Sequence, residues 1–240
     1  GDEMTIICKA DESYETIKEY LSKIPSPYSS CAGAAIFHSH TPFADAYRIA
    51  EQCCEDTFKN YMKKNGLTLA NLMDFEYCQG GIGFSLKDIR EENGDDNNSR
   101  PWLVESEVEE KVSYHYKPVK NKNLPSCEKG KTEEERSNKE KINKLKDLLS
   151  LQKVEDFHTK LSLLGRTNIK GLAIPVSLSE TALRTELRRI IAHMSKDKKD
   201  KMEFESDTNI VEYFVENKKL LKDLVRMYDM GYGKAKVGEE

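Results

Sequence analysis

Three short apolar runs, separated by stretches with helical periodicity, constrain the fold of this chain more than any other feature. The runs cover residues 4–9, 31–37 and 72–78, and short apolar runs of this kind are typical of buried strands. Between them, apolar residues recur at helical spacing over 14–24 and over 43–61. The order strand–helix–strand–helix–strand predicts an α+β fold, in which part of a ferredoxin-like sheet packs on two helices.

Capping and proline signals predict where these two helices begin and end. Asp11 is a predicted N-cap of the first helix, and Pro25 ends it, because an internal proline cannot continue a helix. The pair Thr41-Pro42 predicts the start of the second helix, with a hydroxyl cap followed by proline in the first turn. Gly66 is its predicted C-cap.

The sequence divides into a sheet region and a helical region. We predict a partial sheet domain over 1–120, a charged linker over 121–132 that is poor in apolar residues, and a helical domain over 133–240. A complete ferredoxin-like sheet needs strands that this sequence would have to place before residue 1. We therefore expect the chain to be part of a longer protein, truncated on the N-terminal side of the sheet domain.

Local signals set the predicted helices of the second region. The apolar pattern over 142–164 predicts a helix that is broken near Ser150. A capping box over 177–180 predicts the start of another helix, and Asp207 is the predicted cap of a last helix that runs through residue 228. Residues 231–240 are predicted to form a frayed tail.

Composition and cysteine usage restrict the class of protein. Lys and Arg number 38 against 42 Asp and Glu, for a net charge of −4, which argues against a globally basic nucleic-acid-binding surface. No apolar run approaches the length of about 20 residues that spans a bilayer, so we expect no membrane association. The six cysteines include no CxxC pair, which removes the usual signal for structural zinc. We expect buried free thiols and a cytoplasmic protein.

The first three residues, Gly1-Asp2-Glu3, have the chemistry of a metal-binding turn. Carboxylates are the hard oxygen ligands that magnesium prefers, and a glycine lets a triphosphate approach the main chain closely. Two such ions can clamp the phosphates of a nucleotide and activate a ribose hydroxyl for attack. Taken alone, these three residues occur by chance in many chains, and they favour an ordinary surface turn.

Several motifs in order resemble the catalytic palm domain of the large subunit of type III CRISPR effector complexes. The first run resembles the strand that follows the Gly-Gly-Asp-Asp turn of that palm. The second run, with its inner glycine and terminal histidine, resembles the next strand, and a proline-started helix with Ala-Glu follows it. The matching segments are 1–8, 31–38, Pro42-Phe43, Ala50-Glu51, 72–76 and Arg100-Pro101-Trp102. They cover residues 1–104, and the helical region matches in type only.

This resemblance implies an incomplete palm of the nucleotide-cyclase and polymerase type, followed by a small helical domain. It implies that ATP is converted to a cyclic nucleotide signal in antiviral defence, with Mg²⁺ or Mn²⁺ as cofactor. Asp2 and Glu3 would be the metal ligands and catalytic residues, and Gly1 would contact the phosphates. Glu3 stands where the family usually has Asp, and the other metal-binding Asp of the family is not in this chain. The implied partners are a nucleoside triphosphate, other CRISPR effector subunits and guide or target RNA.

Two alternatives remain at this point. The GGDEF-type cyclases share the acidic turn and a similar order of elements, but residues 50–56 do not match their Ala-Asp-x-Ala-Leu-Tyr-x-Ala-Lys helix. The second alternative is a non-catalytic, nucleotide-binding or scaffold palm that docks RNA or effector subunits through the helical region.

Overall fold

The computed structural model describes residues 3–24, 28–57, 70–78, 85–92, 99–104 and 149–234, and its sheet is small and mixed. Strand β1 (Cys31–Ile36) pairs in parallel with β2 (Leu72–Tyr77), with Cys31 opposite Leu72 and Ile36 opposite Tyr77. Strand β3 (Trp102–Leu103) pairs antiparallel with the start of β2. The predicted strands over 31–37 and 72–78 are confirmed, and so is the α+β class.

Among the described residues, the helices that accompany the sheet are α1 (Ala10–Ser22), α2 (Phe43–Glu55) and α3 (Leu86–Glu92). Helix α2 connects the two parallel strands, as a parallel pair requires a crossover. Both predicted caps are wrong by one or two positions, because Lys9 and Pro42 occupy the N-cap positions. Asp11 lies inside the first turn of α1, where a carboxylate stabilises the helix dipole instead of capping.

The predicted buried strand over 4–9 is wrong. Residues 3–9 form no strand or helix and are exposed. Met4 is 57%, Ile6 50% and Ile7 75% exposed. A strand exists only where a second strand pairs with it, and none of the described residues does so. For the same reason β2 lies beside β1, and not beside residues 4–9 as the sequence predicted.

The helical region contains short helices that wrap around one apolar core. Their bounds are α4 (Leu151–Ser162), α5 (Arg166–Gly171), α6 (Ala173–Leu178), α7 (Glu180–Ala192), α8 (Lys196–Asp200), α9 (Asp207–Glu216) and α10 (Lys218–Met227), followed by a 3₁₀ turn over Tyr228–Met230. None of the helices in the described ranges is long and apolar enough to span a membrane.

Serine hydroxyls cap several of these helices. Ser150 accepts a hydrogen bond from the main-chain N–H of Lys153 and caps the start of α4, at the position where the sequence predicts a break. Residues 142–148, the part of the predicted helix before the break, lie outside the described residues. Ser179, not Ser177, caps α7, and Ser206, not Asp207, caps α9. Both predicted caps were wrong because a second residue of capping type stands nearby. Ser177 lies two residues before Ser179, and Asp207 directly follows Ser206. The predicted last helix divides at residue 217 into α9 and α10.

A continuous core joins the sheet to the helical region. Tyr14 of α1, Phe75 of β2 and Trp102 of β3 pack together with Tyr232, and all four side chains are buried. The Phe75 and Tyr232 ring centroids are 4.6 Å apart. The prediction of a frayed tail from residue 231 is therefore wrong at Tyr232, since this side chain fills the core between sheet and helices. Residues 121–132 of the predicted linker and Gly66 lie outside the described residues.

The described cysteines are free thiols with different degrees of burial. Cys53 is buried, Cys31, Cys54 and Cys78 are half-buried, and Cys8 is exposed. The expectation of buried thiols is wrong for Cys8 because this residue lies in the exposed segment before α1.

Candidate functional site

Glu3 is the described residue of the predicted acidic turn, and its carboxylate helps to raise the pKa of the Cys54 thiol. Cys54 is the next-to-last residue of α2. The Cys54 thiol in turn donates to the carbonyl oxygen of Cys31, the first residue of β1, at 3.5 Å. Gly1 and Asp2, the other predicted site residues, lie outside the described residues.

Gly33 allows α2 to approach β1 closely near Cys54. A Cβ atom at Gly33 would lie 2.1 Å from the carbonyl oxygen of Ala50 and 2.4 Å from the main-chain nitrogen of Cys54. Only glycine fits so near the backbone of another element. The inner glycine of the strand therefore fixes the distance between strand and helix, and with it the position of Cys54 relative to Cys31.

The electrostatics around Cys54 favour a cation. Burial raises the pKa of the Cys54 thiol, and the carboxylates of Glu3, Glu55 and Asp74 raise it further. Burial likewise raises the pKa of Cys31 to about 12. The exposed carboxylates of Glu3 and Glu55 thus add negative charge around the Cys54 thiol.

Glu3 has the freedom that a metal ligand requires. It is exposed and forms neither an ion pair nor a hydrogen bond with another described residue. A carboxylate in this state can bind a hard divalent cation without first losing a partner. Within the described ranges, no group of three or more His, Cys, Asp and Glu side chains is arranged to hold a metal ion. The donor chemistry of Glu3 fits magnesium, and further ligands would come from residues outside those ranges.

The placement of Glu3 can be tested through Cys54. We expect Glu3→Gln to lower the pKa of the Cys54 thiol, because the change removes a negative charge that disfavours the thiolate. The measurement is the pH dependence of Cys54 alkylation, followed by peptide mass spectrometry. Glu12→Gln is the matched control, since Glu12 acts on Cys8 instead. It should lower the pKa of Cys8 and leave that of Cys54 unchanged. If the pKa of Cys54 were the same in both variants, the proximity of Glu3 to Cys54 would be wrong.

A second cluster of charges lies on β2, and sequence reasoning missed it. Asp74 and Glu76 are 3% and 0% exposed. The guanidinium of Arg90 in α3 donates to both Asp74 oxygens at 2.9 Å and to Glu76 at 3.3 Å. The signal was present as acids two residues apart in the apolar run 72–77, which places both on one face of the strand. The arginines that pair with these acids are distant in sequence, and no local pattern indicated the pairing.

The cluster continues toward the helical region. Glu76 also accepts from Arg100 at 3.2 Å and from Arg226 of α10 at 3.1 Å. Arg100 donates to the carbonyl oxygen of Phe75 and lies 3.5 Å from Asp223 of α10. Within β2, β3 pairs with Leu72 and Met73, so Arg100 occupies the edge of β2 beyond the end of β3.

This cluster is structural and not an open ligand site. The carboxylates of Asp74, Glu76 and Asp223 are matched by the guanidinium groups of Arg90, Arg100 and Arg226. Each buried carboxylate already has a charged partner, so a cation would have to displace an arginine. Glu3, in contrast, has no charged partner among the described residues. The buried acids therefore stabilise the fold, whereas the carboxylate of Glu3 is available to a ligand.

Comparison of this chain with protein-family models, with curated proteins and with solved structures gives no match.

Proposed function

We propose that this chain is the nucleotide-binding part of a palm-type nucleotidyltransferase or cyclase of CRISPR-type antiviral defence, which converts ATP to a cyclic nucleotide. The observation that carries the proposal is the position of Glu3. Its carboxylate raises the pKa of the Cys54 thiol near the end of α2, and that thiol donates to the carbonyl oxygen of the first residue of β1. The ordered motifs that resemble the type III palm supply the reaction class, and the parallel pair β1–β2 with its crossover helix is compatible with that fold.

The residues of the turn have distinct roles in this proposal. Asp2 and Glu3 hold Mg²⁺ or Mn²⁺ through their carboxylates, and Gly1 lets the phosphates approach the main chain. The bound ions would neutralise the triphosphate and favour attack by a ribose hydroxyl. These two carboxylates would leave the remaining coordination positions of the ions to other ligands. Because misplacement by about 1 Å can cost on the order of a hundredfold in rate, we expect no turnover from the chain of 240 residues alone.

Binding of Mn²⁺–ATP tests the assignment directly. We expect Asp2→Ala to weaken binding at least about tenfold, equivalent to about 1.4 kcal/mol, because one charged ligand is lost. Electron paramagnetic resonance of Mn²⁺, titrated with the protein in the presence of ATP, measures this. Glu205→Ala is the control, since Glu205 is an exposed acid remote in sequence from the turn. In the full-length protein, Asp2→Ala should also abolish metal-dependent turnover while the fold stays intact.

Two outcomes would contradict the proposal. If Asp2→Ala binds Mn²⁺–ATP as tightly as the wild type, the metal role of the turn is wrong. If the wild type binds no nucleotide, the scaffold function replaces the enzymatic one.

The scaffold alternative has an observation of its own, because Ile174 and Leu178 lie one turn apart on α6 and are 70% and 71% exposed. Exposed apolar side chains of this kind are suited to contact with a protein partner.

A further inference from the structure

The segment before α1 exposes several apolar side chains to solvent, which is energetically unfavourable. Met4, Ile6 and Ile7 are all at least half exposed. With Thr5 they form a run rich in β-branched residues, which is the composition of a strand. Residues 4–8 make no main-chain hydrogen bond with the other described residues. A second strand would provide hydrogen-bond partners for the main-chain N–H and C=O groups of this segment. Its side chains would also contact the exposed apolar side chains.

The charges at the ends of this segment make it complementary to itself. Glu3 lies at one end and Lys9 at the other, with only uncharged residues between them. An antiparallel pair of two copies centred on Ile6 places each Glu3 opposite the Lys9 of the second copy. The same register sets Met4 opposite Cys8 and Thr5 opposite Ile7. A parallel, in-register pair would instead place like charges side by side, which is unfavourable.

Lys9 is able to exchange partners. Its ammonium lies 3.3 Å from Glu12 within α1, and the two side chains are 78% and 55% exposed. Ion pairs between exposed groups contribute little to stability. Lys9 can therefore turn from Glu12 to a carboxylate on another copy at small cost.

We propose that two copies of this chain associate through antiparallel pairing of residues 3–9, centred on Ile6. The pairing forms a two-stranded ribbon in which Ile6 lies opposite Ile6 of the second copy on one face and Ile7 lies opposite Thr5 on the other. It places the two Glu3 residues at opposite ends of the ribbon, where the ion pair with Lys9 and a bound cation would compete for the same carboxylate. This inference does not depend on the proposed function. Because a ribbon of seven residues per copy buries less than a standard interface of about 1,600 Å², the dimer is weak and reversible.

Sedimentation velocity over a range of protein concentrations tests the proposal with the chain of 240 residues. The wild type should show a monomer–dimer equilibrium that shifts with concentration. Glu3→Lys and Lys9→Glu should each weaken dimerisation at least about tenfold, because each creates two like-charge contacts. The double variant Glu3→Lys/Lys9→Glu should restore it. Glu205→Lys makes the same charge change outside the segment and should leave the equilibrium unchanged.

The outcomes are decisive in both directions. A wild type that stays monomeric at all concentrations overturns the proposal, as does a double variant that dimerises no better than the single ones. Hydrogen exchange provides a second measurement, in which residues 4–8 should gain protection only as the dimer forms. Protection of these residues in the monomer would show that another part of the same chain covers them, and would also overturn the proposal.

Discussion

Glu76→Gln should destabilise the folded chain by about 3–5 kcal/mol, which is the usual cost of removing one partner from a buried ion pair. Glu76 is fully buried and contacts Arg90, Arg100 and Arg226. The neutral amide keeps the shape of the side chain but removes the charge. The guanidinium groups of Arg90, Arg100 and Arg226 then lose a carboxylate partner in a poorly solvated place. Urea unfolding followed by circular dichroism measures the change in the free energy of unfolding.

An exposed acid provides the matched control for Glu76. Glu91 of α3 pairs with Lys87 at 3.5 Å, and its side chain is 57% exposed. Glu91→Gln should change the free energy of unfolding by less than about 1 kcal/mol, as expected for a surface ion pair. If the two variants were equally stable, the arginines would not depend on Glu76, and the structural role of the cluster would be wrong.

Gly33→Ala should destabilise the chain by about 3 kcal/mol, at the upper end of the cost of overpacking a core. The new methyl group would lie 2.1 Å from the carbonyl oxygen of Ala50 and 2.4 Å from the main-chain nitrogen of Cys54. Both are backbone atoms of α2, which cannot rotate away as a flexible side chain can. The helix must move off β1, and the melting temperature should fall accordingly.

Gly171→Ala is the opposite case and serves as the control. No atom lies within 4 Å of a Cβ placed at Gly171, which ends α5. Alanine there restricts the unfolded chain and favours the helix, so this variant should be more stable by about 0.5–1 kcal/mol. If Gly33→Ala behaved like Gly171→Ala, the close contact between β1 and α2 would not exist in solution.

Local patterns were sufficient to predict much of the secondary structure. The apolar runs over 31–37 and 72–78 form strands, and the periodicity between them forms α2, because strand and helix patterns depend on neighbours within a few residues. The helix start at Ser150 was predictable for the same reason, since a cap acts on the next turn of its own helix. Cap positions themselves were less certain where several residues of capping type stand close together, as at Ser177 and Ser179.

The metal-binding role that the sequence predicts for Asp2 and Glu3 stays a prediction. The structure adds that the carboxylate of Glu3 acts on the thiol of Cys54, near the end of α2. The proximity of these residues could not be predicted from spacing, because 51 positions separate them in the chain. The two acids of β2 were visible in the sequence, but their pairing with Arg90, Arg100 and Arg226 was not.

The sequence by itself determined where most helices and strands form, because hydrophobic periodicity, proline and capping residues act over one or two turns. The tertiary structure alone decided which segments are buried. The apolar run 4–9 is exposed because no described strand pairs with it, whereas Tyr232 is buried because Tyr14 and Phe75 meet it from distant parts of the chain. Burial and ion pairing depend on contacts between residues that are remote in sequence. A local sequence pattern does not indicate which remote residue makes such a contact.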